Sequence, residues 1–301
     1  MFENLLASYN PETQTTARKQ TGSFYTPREI VDYMVDESLL AYFSSQLEQT
    51  TVTGKARCTP DELEAQETNA VLQRALPDAV TENLRTLLSY DNLINPFNST
   101  ETEQLIQAID TCKILDPACG SGAFPMGILH KLVHCLHKLD PDNKQWQALQ
   151  RRKILQDTQA AMRIEDNKEL SEKLKELNNT FDHNINHPDY ARKLFLIENC
   201  IYGVDIQPIA IQISKLRFFI SLVVDQIVNP DKKNFGILPL PNLETKFVAA
   251  NTLIGIDKPS VGINADSTMS LFDNPDVEKL EQQLKDVRHR LFSAKNARHK
   301  T

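Results

Sequence analysis

One stretch constrains the fold more than any other. The short apolar run Cys112-Lys113-Ile114-Leu115 ends in Asp116-Pro117-Ala118-Cys119-Gly120-Ser121-Gly122. Directly behind it, Phe124, Ile128, Leu129, Leu132, Val133 and Leu136 recur at helical spacing. Strand, tight glycine loop and helix in that order form the opening unit of an α/β sheet. Glycine is scarce, 9 residues in 301, so two within three positions mark a place where backbone must bend or come close to something. The helix behind the loop points N–H groups and a positive dipole end at it. The loop is not a dinucleotide fingerprint, because Pro125 occupies the third glycine position, and it is not a Walker A loop, because no Gly-Lys-Ser/Thr follows. It reads either as a ligand cradle with Asp116 at the strand's carboxyl end or as a plain βα turn.

A second unit repeats the pattern. Cys200-Ile201-Tyr202-Gly203-Val204 reads as a strand ending in Asp205, and Pro208 opens a helix through Ile213, Leu216, Phe219, Ile220 and Val223. Asp205 is placed either to accept hydrogen bonds from a ribose or to cap the helix after it. Phe247 and Val248 lead to Asn251-Thr252-Leu253-Ile254-Gly255, which reads as a third strand end. Asn251 there is an adenine-edge partner or a turn residue. Upstream, Phe24-Tyr25-Thr26-Pro27 precedes a helix start, with Thr26 as N-cap, Pro27 in the first helical position and Glu29 in the first turn. Ile30, Met34 and Leu39, with Val31, Val35 and Leu40, give that helix an apolar face. The aromatic pair is either one wall of a pocket or a hydrophobic staple.

These landmarks divide the chain into a helical N-terminal region over 1–110, an α/β core over 111–260 with a charged helical insertion at about 140–197, and a C-terminal helix over 261–301. In that last helix Val277, Leu280, Leu284, Val287 and Leu291 alternate by three and four, a heptad stripe suited to self-association or to recruiting a partner. The net charge of −7 is the wrong sign for a compact domain living on phosphate contacts. The 5 cysteines include no CxxC pair, which disfavours a zinc knuckle and fits reduced thiols in a cytoplasm. His183 and His187 share helical spacing, but the Asn and Pro around them argue against a helix and a metal site. The N-terminus has no secretory pattern, and the longest apolar run, Phe218 to Val224, is far shorter than the ~20 residues a membrane span needs.

Taken in order, Gly-Ser-Phe-Tyr-Thr-Pro, Asp-Pro-Ala-Cys-Gly-Ser-Gly, Tyr-Gly-Val-Asp-Ile and Asn-Thr-Leu-Ile resemble the motifs of adenine-specific DNA methyltransferases. The likeness is greatest to the long type IIG restriction-modification enzymes and the related phage-defence methyltransferases. It touches Gly22 to Gly255, with the motifs themselves filling short parts of that span. The resemblance implies a partial Rossmann-like sheet of the S-adenosyl-L-methionine-dependent type. It implies that Phe24, Tyr25, Thr26 and Pro27 border the methionine end of that cofactor. Asp116, Pro117, Ala118, Gly120, Ser121 and Gly122 would form the floor, with Asp116 near the amino group. Asp205 would hold the ribose, Ile206 would pack on the adenine ring and Asn251 would meet its edge. Double-stranded DNA is the implied partner of the parent enzyme. One departure stands out. The family's Asn-Pro-Pro-Tyr/Phe motif, which orients and stacks the flipped base, is absent. Asn274-Pro275 runs into Asp276 and Val277, and Asn95-Pro96-Phe97 lies before the glycine loop. The expectation is therefore a cofactor-binding fragment, inactive by itself, or else a non-catalytic cofactor-binding or partner-recruiting module.

Overall fold

A computed structural model describes residues 9–10, 15–16, 26–53, 78–161, 167–182, 186–231, 233–237, 241–254, 280, 283–284 and 287. The fold is mixed α/β and mostly helical, with a small parallel sheet. In chain order come a two-residue hairpin pair, β1 (Tyr9–Asn10) and β2 (Thr15–Thr16), then α1 (Arg28–Thr53), α2 (Asp78–Leu88) and α3 (Ser99–Thr111). The first core strand β3 (Ile114–Asp116) leads through the glycine loop to α4 (Ala123–Leu139). Three helices follow, α5 (Lys144–Ala161), α6 (Asn167–Thr180) and α7 (Pro188–Asn199), then β4 (Ile201–Asp205), α8 (Pro208–Val223) and β5 (Phe247–Ala249).

The sheet has the order β3-β4-β5, all parallel, with Ile114 opposite Ile201 and Gly203 opposite Phe247. Side chains alternate across a strand, so Ile114, Ile201, Gly203 and Phe247 share one face. That face lies under α4, α7 and α8, and Ile201 and Phe247 are fully buried. The other face carries Leu115, Tyr202, Val204 and Val248, of which Leu115 is 61% and Val248 41% exposed. Among the described residues the sheet is thus covered on one side.

Helix α1 runs beside α4. Val31 meets Gly127 and Asp36 meets Lys131, so residue numbers rise together and the two helices are parallel. The stripe it buries is Val31, Val35, Leu39 and Phe43, each four residues on from the last. Ile30 and Met34, assigned above to the apolar face, are about half exposed at 48% and 49%. Apolar residues stand on two adjoining stripes of this helix, and packing against α2, α3 and α4, closest at Gly127, selects between them. A Cβ at Gly127 would lie 2.6 Å from Val31 Cγ1. Helix α1 also begins at Arg28 rather than Pro27, whose carbonyl accepts the first bonds from Ile30 and Val31 at 3.1 and 3.2 Å. Boundary shifts of one residue are common where a cap is ambiguous.

Two buried lysines on α4 hold α2 in place. Lys131 Nζ donates to Leu88 O at 2.9 Å and pairs with Asp36 at 2.8 Å, with the Tyr90 ring 3.9 Å away. Lys138 Nζ donates to Thr86 O at 2.7 Å and Ser89 O at 2.6 Å. Cations on the last carbonyls of a helix satisfy its orphan acceptors and complement its dipole. The charged segment after α4 joins the same core: Trp146, Leu196 and Ile197 are buried with Leu129 and Leu132. Fully buried Arg192 ties it down, donating from Nη2 to Asp140 O at 2.7 Å and Pro141 O at 3.0 Å.

The third strand ends at Ala249, earlier than the Asn251–Gly255 reading; Asn251 to Ile254 form a turn after it, and Gly255 lies outside the described residues. In the C-terminal stripe Leu280, Leu284 and Val287 are helical and exposed, while Val277 and Leu291 lie outside the described residues. Among the described residues no helix is long and apolar enough to cross a membrane.

Exchanging Gly for Ala inside a helix ordinarily stabilises by about 1 kcal/mol. Gly127→Ala is expected to do the reverse, lowering stability by about 1–3 kcal/mol through overpacking against Val31. Urea unfolding measures this, and Val31→Ala in the same chain should restore the ordinary sign.

Candidate functional site

The site grows from the carboxyl ends of β3 and β4. Asp116 closes β3, and its Oδ1 accepts from the Ala118 N–H at 3.1 Å, turning the chain out of the sheet. Pro117 and Ala118 are exposed on that turn. Cys119 rejoins the sheet, its N–H donating to Val204 O at 2.9 Å. Gly120 and Gly122 then take left-handed backbone, with φ of +52° and +81°, a conformation that strains other residues. The loop closes with Gly122 N–H donating to Cys119 O at 2.8 Å, and α4 begins one residue later.

The two glycines have different surroundings. A Cβ built on Gly120 would meet nothing within 4 Å, so open space lies before the loop there. A Cβ on Gly122 would come within 2.9 Å of Ser214 Oγ, because α8 packs directly against the loop. Among the described residues, the N–H groups of Ser121, Ala123 and Phe124 find no hydrogen-bond acceptor. Pro125 has no N–H and needs none.

Asp205 joins the two strand ends. Its Oδ2 accepts from the Gly120 N–H at 2.8 Å, across 85 positions of sequence, and its Oδ1 accepts from the Gln207 N–H at 2.8 Å. One carboxylate therefore both closes the turn into α8 and reaches the glycine loop; the helix's own N-cap is Gln207, which makes no side-chain cap bond. Beside it Ile206 presents an apolar side chain that is 62% exposed. The turn after β5 closes the third side. Asn251 Oδ1 accepts from the Leu253 N–H at 3.0 Å, and Thr252 Oγ1 donates to Pro117 O at 3.2 Å. Asn251 itself is exposed at the rim.

Two carboxylates thus flank one loop. Burial raises the Asp116 carboxyl above the usual carboxylate range; the Ala118 N–H pulls it back and the Asp205 charge raises it further. Its second oxygen, Oδ2, is buried without a hydrogen-bond partner. The Cys119 thiol is pushed up to about 12 by burial and by the Asp116 and Asp205 charges. It stays protonated at neutral pH, which removes it as a nucleophile. A loop with this charge disfavours a pyrophosphate and suits a ligand that carries positive charge or donates hydrogen bonds.

Of the residues singled out from sequence, Asp116, Pro117, Ala118, Gly120, Ser121, Gly122, Asp205, Ile206 and Asn251 come together around the ends of the three strands. Thr26 and Pro27 precede α1, and because α1 and α4 are parallel, they lie at the loop end of that pair. Phe24 and Tyr25 lie outside the described residues. Sequence reasoning missed three side chains. Ser214 Oγ donates to Gly120 O at 2.9 Å, Arg217 Nη1 donates to Ser121 O at 2.9 Å, and Thr252 reaches Pro117. The available signal was a Ser and an Arg three apart on a helix rich in apolar residues.

Two further hollows lie away from the loop. One, between α1 and α2, is lined by Asp36, Tyr90 and Lys131. The other lies over His134 and His137 on α4, where His134 Nε2 meets Ser89 O at 2.8 Å and His137 Nδ1 meets Arg192 at 3.2 Å. Among the described residues no group of three or more His, Cys, Asp or Glu could hold a metal ion.

The fold and site together define an α/β unit with a glycine loop at the carboxyl ends of parallel strands, compatible with a partial Rossmann-like fold. The chain is 24% identical over 238 residues to a protein of Methanocaldococcus jannaschii named as a candidate type II restriction enzyme and methyltransferase. The alignment covers 79% of this chain and 15% of that relative, so the chain spans well under a fifth of its length. No family model and no solved structure matches the chain.

Because burial raises the Asp116 carboxyl, the folded state holds that proton more tightly than the unfolded chain does. Its ionisation therefore subtracts stability as pH rises above the unfolded value of about 3.9. Asp116→Asn, which keeps the acceptor for Ala118, is expected to raise the ligand-free melting temperature at pH 7. The gain should shrink as pH falls toward that value, and thermal melts across pH 4–7 would check this.

Proposed function

We propose that this chain is the S-adenosyl-L-methionine-binding part of a restriction-modification or phage-defence DNA methyltransferase acting on the exocyclic amine of adenine. The observation that carries the reading is the Asp205–Gly120 hydrogen bond, which puts two carboxylates on one glycine loop. The ordered motifs and the likeness to a protein named for restriction and methylation support it.

The residues present fit that cofactor in three respects. The orphaned Asp116 Oδ2 is an acceptor waiting for a cationic donor, as an amino group is. The space before Gly120 admits a ligand against bare backbone. A pair of acids suits a molecule with a sulfonium and an ammonium, where phosphates would be repelled. When bound, the cofactor supplies an electrophilic methyl group.

The roles of the chain's own residues follow from their geometry. A carboxylate offers about four acceptor sites; Asp205 uses two on backbone N–H groups, which leaves capacity for ribose hydroxyls. Exposed Ile206 offers a flat apolar contact beside it for a ring. Asn251, oriented through its Oδ1 bond, can present its amide to an adenine edge. Thr26 and Pro27, at the loop end of α1, border the opposite side with Phe24 and Tyr25 before them. Double-stranded DNA would be engaged through other parts of the longer enzyme, since this chain carries a net charge of −7. Transfer to an extruded base also calls for Asn-Pro-Pro-Tyr/Phe, which residues 1–301 do not contain.

Titration calorimetry should show S-adenosyl-L-methionine binding to the folded chain, with Asp205→Ala weakening it at least tenfold, about 1.4 kcal/mol. Equal affinity of parent and variant, or no binding at all, would overturn the cofactor assignment. The chain alone should transfer no tritium from labelled cofactor into adenine-containing duplex DNA, and incorporation above background would show that its own residues suffice for catalysis.

A further inference from the structure

We infer that Ser214 and Arg217 of α8 are positioning residues that set the cofactor affinity of the glycine loop by fixing the direction of its peptide planes. This rests on the cofactor reading above and adds two residues that neither the motifs nor the relative's name assigns.

A glycine loop that leaves open space for a ligand has a weakness. Glycine peptides rotate with little steric resistance, so nothing in the loop itself keeps its N–H groups aimed outward. Here three consecutive peptide groups are each held from outside or across the turn. The Cys119–Gly120 peptide is held by its N–H, which donates to Asp205 Oδ2 at 2.8 Å. The Gly120–Ser121 peptide is held by its carbonyl, which accepts from Ser214 Oγ at 2.9 Å. The Ser121–Gly122 peptide is held twice, its carbonyl accepting from Arg217 Nη1 at 2.9 Å and its N–H donating to Cys119 O at 2.8 Å.

In a trans peptide the C=O and N–H point in opposite directions. Drawing the Gly120 carbonyl toward α8 therefore turns the Ser121 N–H away from α8. That N–H is one of those without an acceptor among the described residues. Ser214 is fully buried and occupies the room that a side chain at Gly122 would take. Arg217 adds a charge-assisted bond, stronger than a neutral one. The arrangement is local to one unit: Asp205 ends β4, and α8, which carries both tethers, starts three residues later. The acid that marks the site and the side chains that brace it are therefore delivered by the same strand–helix connection.

The test uses the full chain in three forms beside the parent: Ser214→Ala, Arg217→Ala and Asp205→Ala. Titration with S-adenosyl-L-methionine should show a loss of about tenfold for Arg217→Ala and a smaller loss for Ser214→Ala, with melting temperatures close to the parent's. Millimolar guanidinium ion should restore much of the affinity of Arg217→Ala and leave the parent and Ser214→Ala unchanged. A merely structural role would not produce that pattern. In the ligand-free chain, the hydrogen-bonded Gly120 and Gly122 amides should exchange hydrogen faster in both tether variants than in the parent. If the parent binds, Asp205→Ala weakens binding and both tether variants match the parent, the inference is overturned while the cofactor reading stands. A lowered melting temperature without guanidinium rescue also overturns it. If the parent itself does not bind, the cofactor reading fails, and unchanged amide exchange in the variants would dispose of the bracing as well.

Discussion

The site depends on a single hydrogen bond between distant parts of the chain, from the Gly120 N–H to the Asp205 carboxylate. It forms because β3 and β4 pair in parallel and in register, so that their carboxyl ends come level. A carboxylate accepting from a backbone N–H is among the stronger neutral-to-charged contacts. Here it also brings a second acid near Asp116, and the electrostatics of the loop follow from that proximity. Asp116 is driven toward its protonated form by burial and by its neighbour, and Cys119 is silenced as a nucleophile by the same surroundings. The sheet that holds the loop thus sets its charge.

The helices keep that register from slipping. Helix α4 is fixed on one side by α1 through the close approach at Gly127, and on another by the C-terminal carbonyls of α2 bonded to Lys131 and Lys138. Gly203 serves a matching purpose in the sheet: a Cβ there would lie 2.7 Å from the Phe247 ring and 2.9 Å from Cys119 Sγ. The centre of β4 is thus kept bare so that an aromatic from β5 and the thiol of the loop can both reach it. Leu115 and Val248, on the far face, are left exposed among the described residues.

Much of the site could be read from residue order, and the reasons are local. Asp116, Gly120 and Gly122 announce a strand-to-helix turn because few other residues tolerate it. Asp205 before Pro208 announces the next one. What local pattern could not settle was which surface of each helix turns inward. Helix α8 is rich in apolar residues on several sides; the pattern picks out Ile213, Leu216, Phe219, Ile220 and Val223, yet Leu216 and Ile220 are exposed and Phe218 and Leu222 are buried. The choice follows from Ser214 lodging against Gly122, a contact between positions far apart in sequence. The roles of Ser214 and Arg217 were hidden for the same reason, since a polar side chain on a helix gains its meaning only from the partner it meets.

By itself, then, the sequence determined the units: two strand–turn–helix modules with an acid closing each strand, a glycine loop in the first, and the absence of an Asn-Pro-Pro-aromatic run from residues 1–301. These follow from backbone sterics and hydrophobic period, which act over a few residues. Tertiary structure alone decided that one carboxylate serves both the loop and the turn into α8, that an Arg and a Ser from α8 hold the loop's carbonyls, and that among the described residues one sheet face is buried while the other is open. Those outcomes depend on strand register and on which helix faces can approach closely, and such choices are made between segments, where no local pattern reaches.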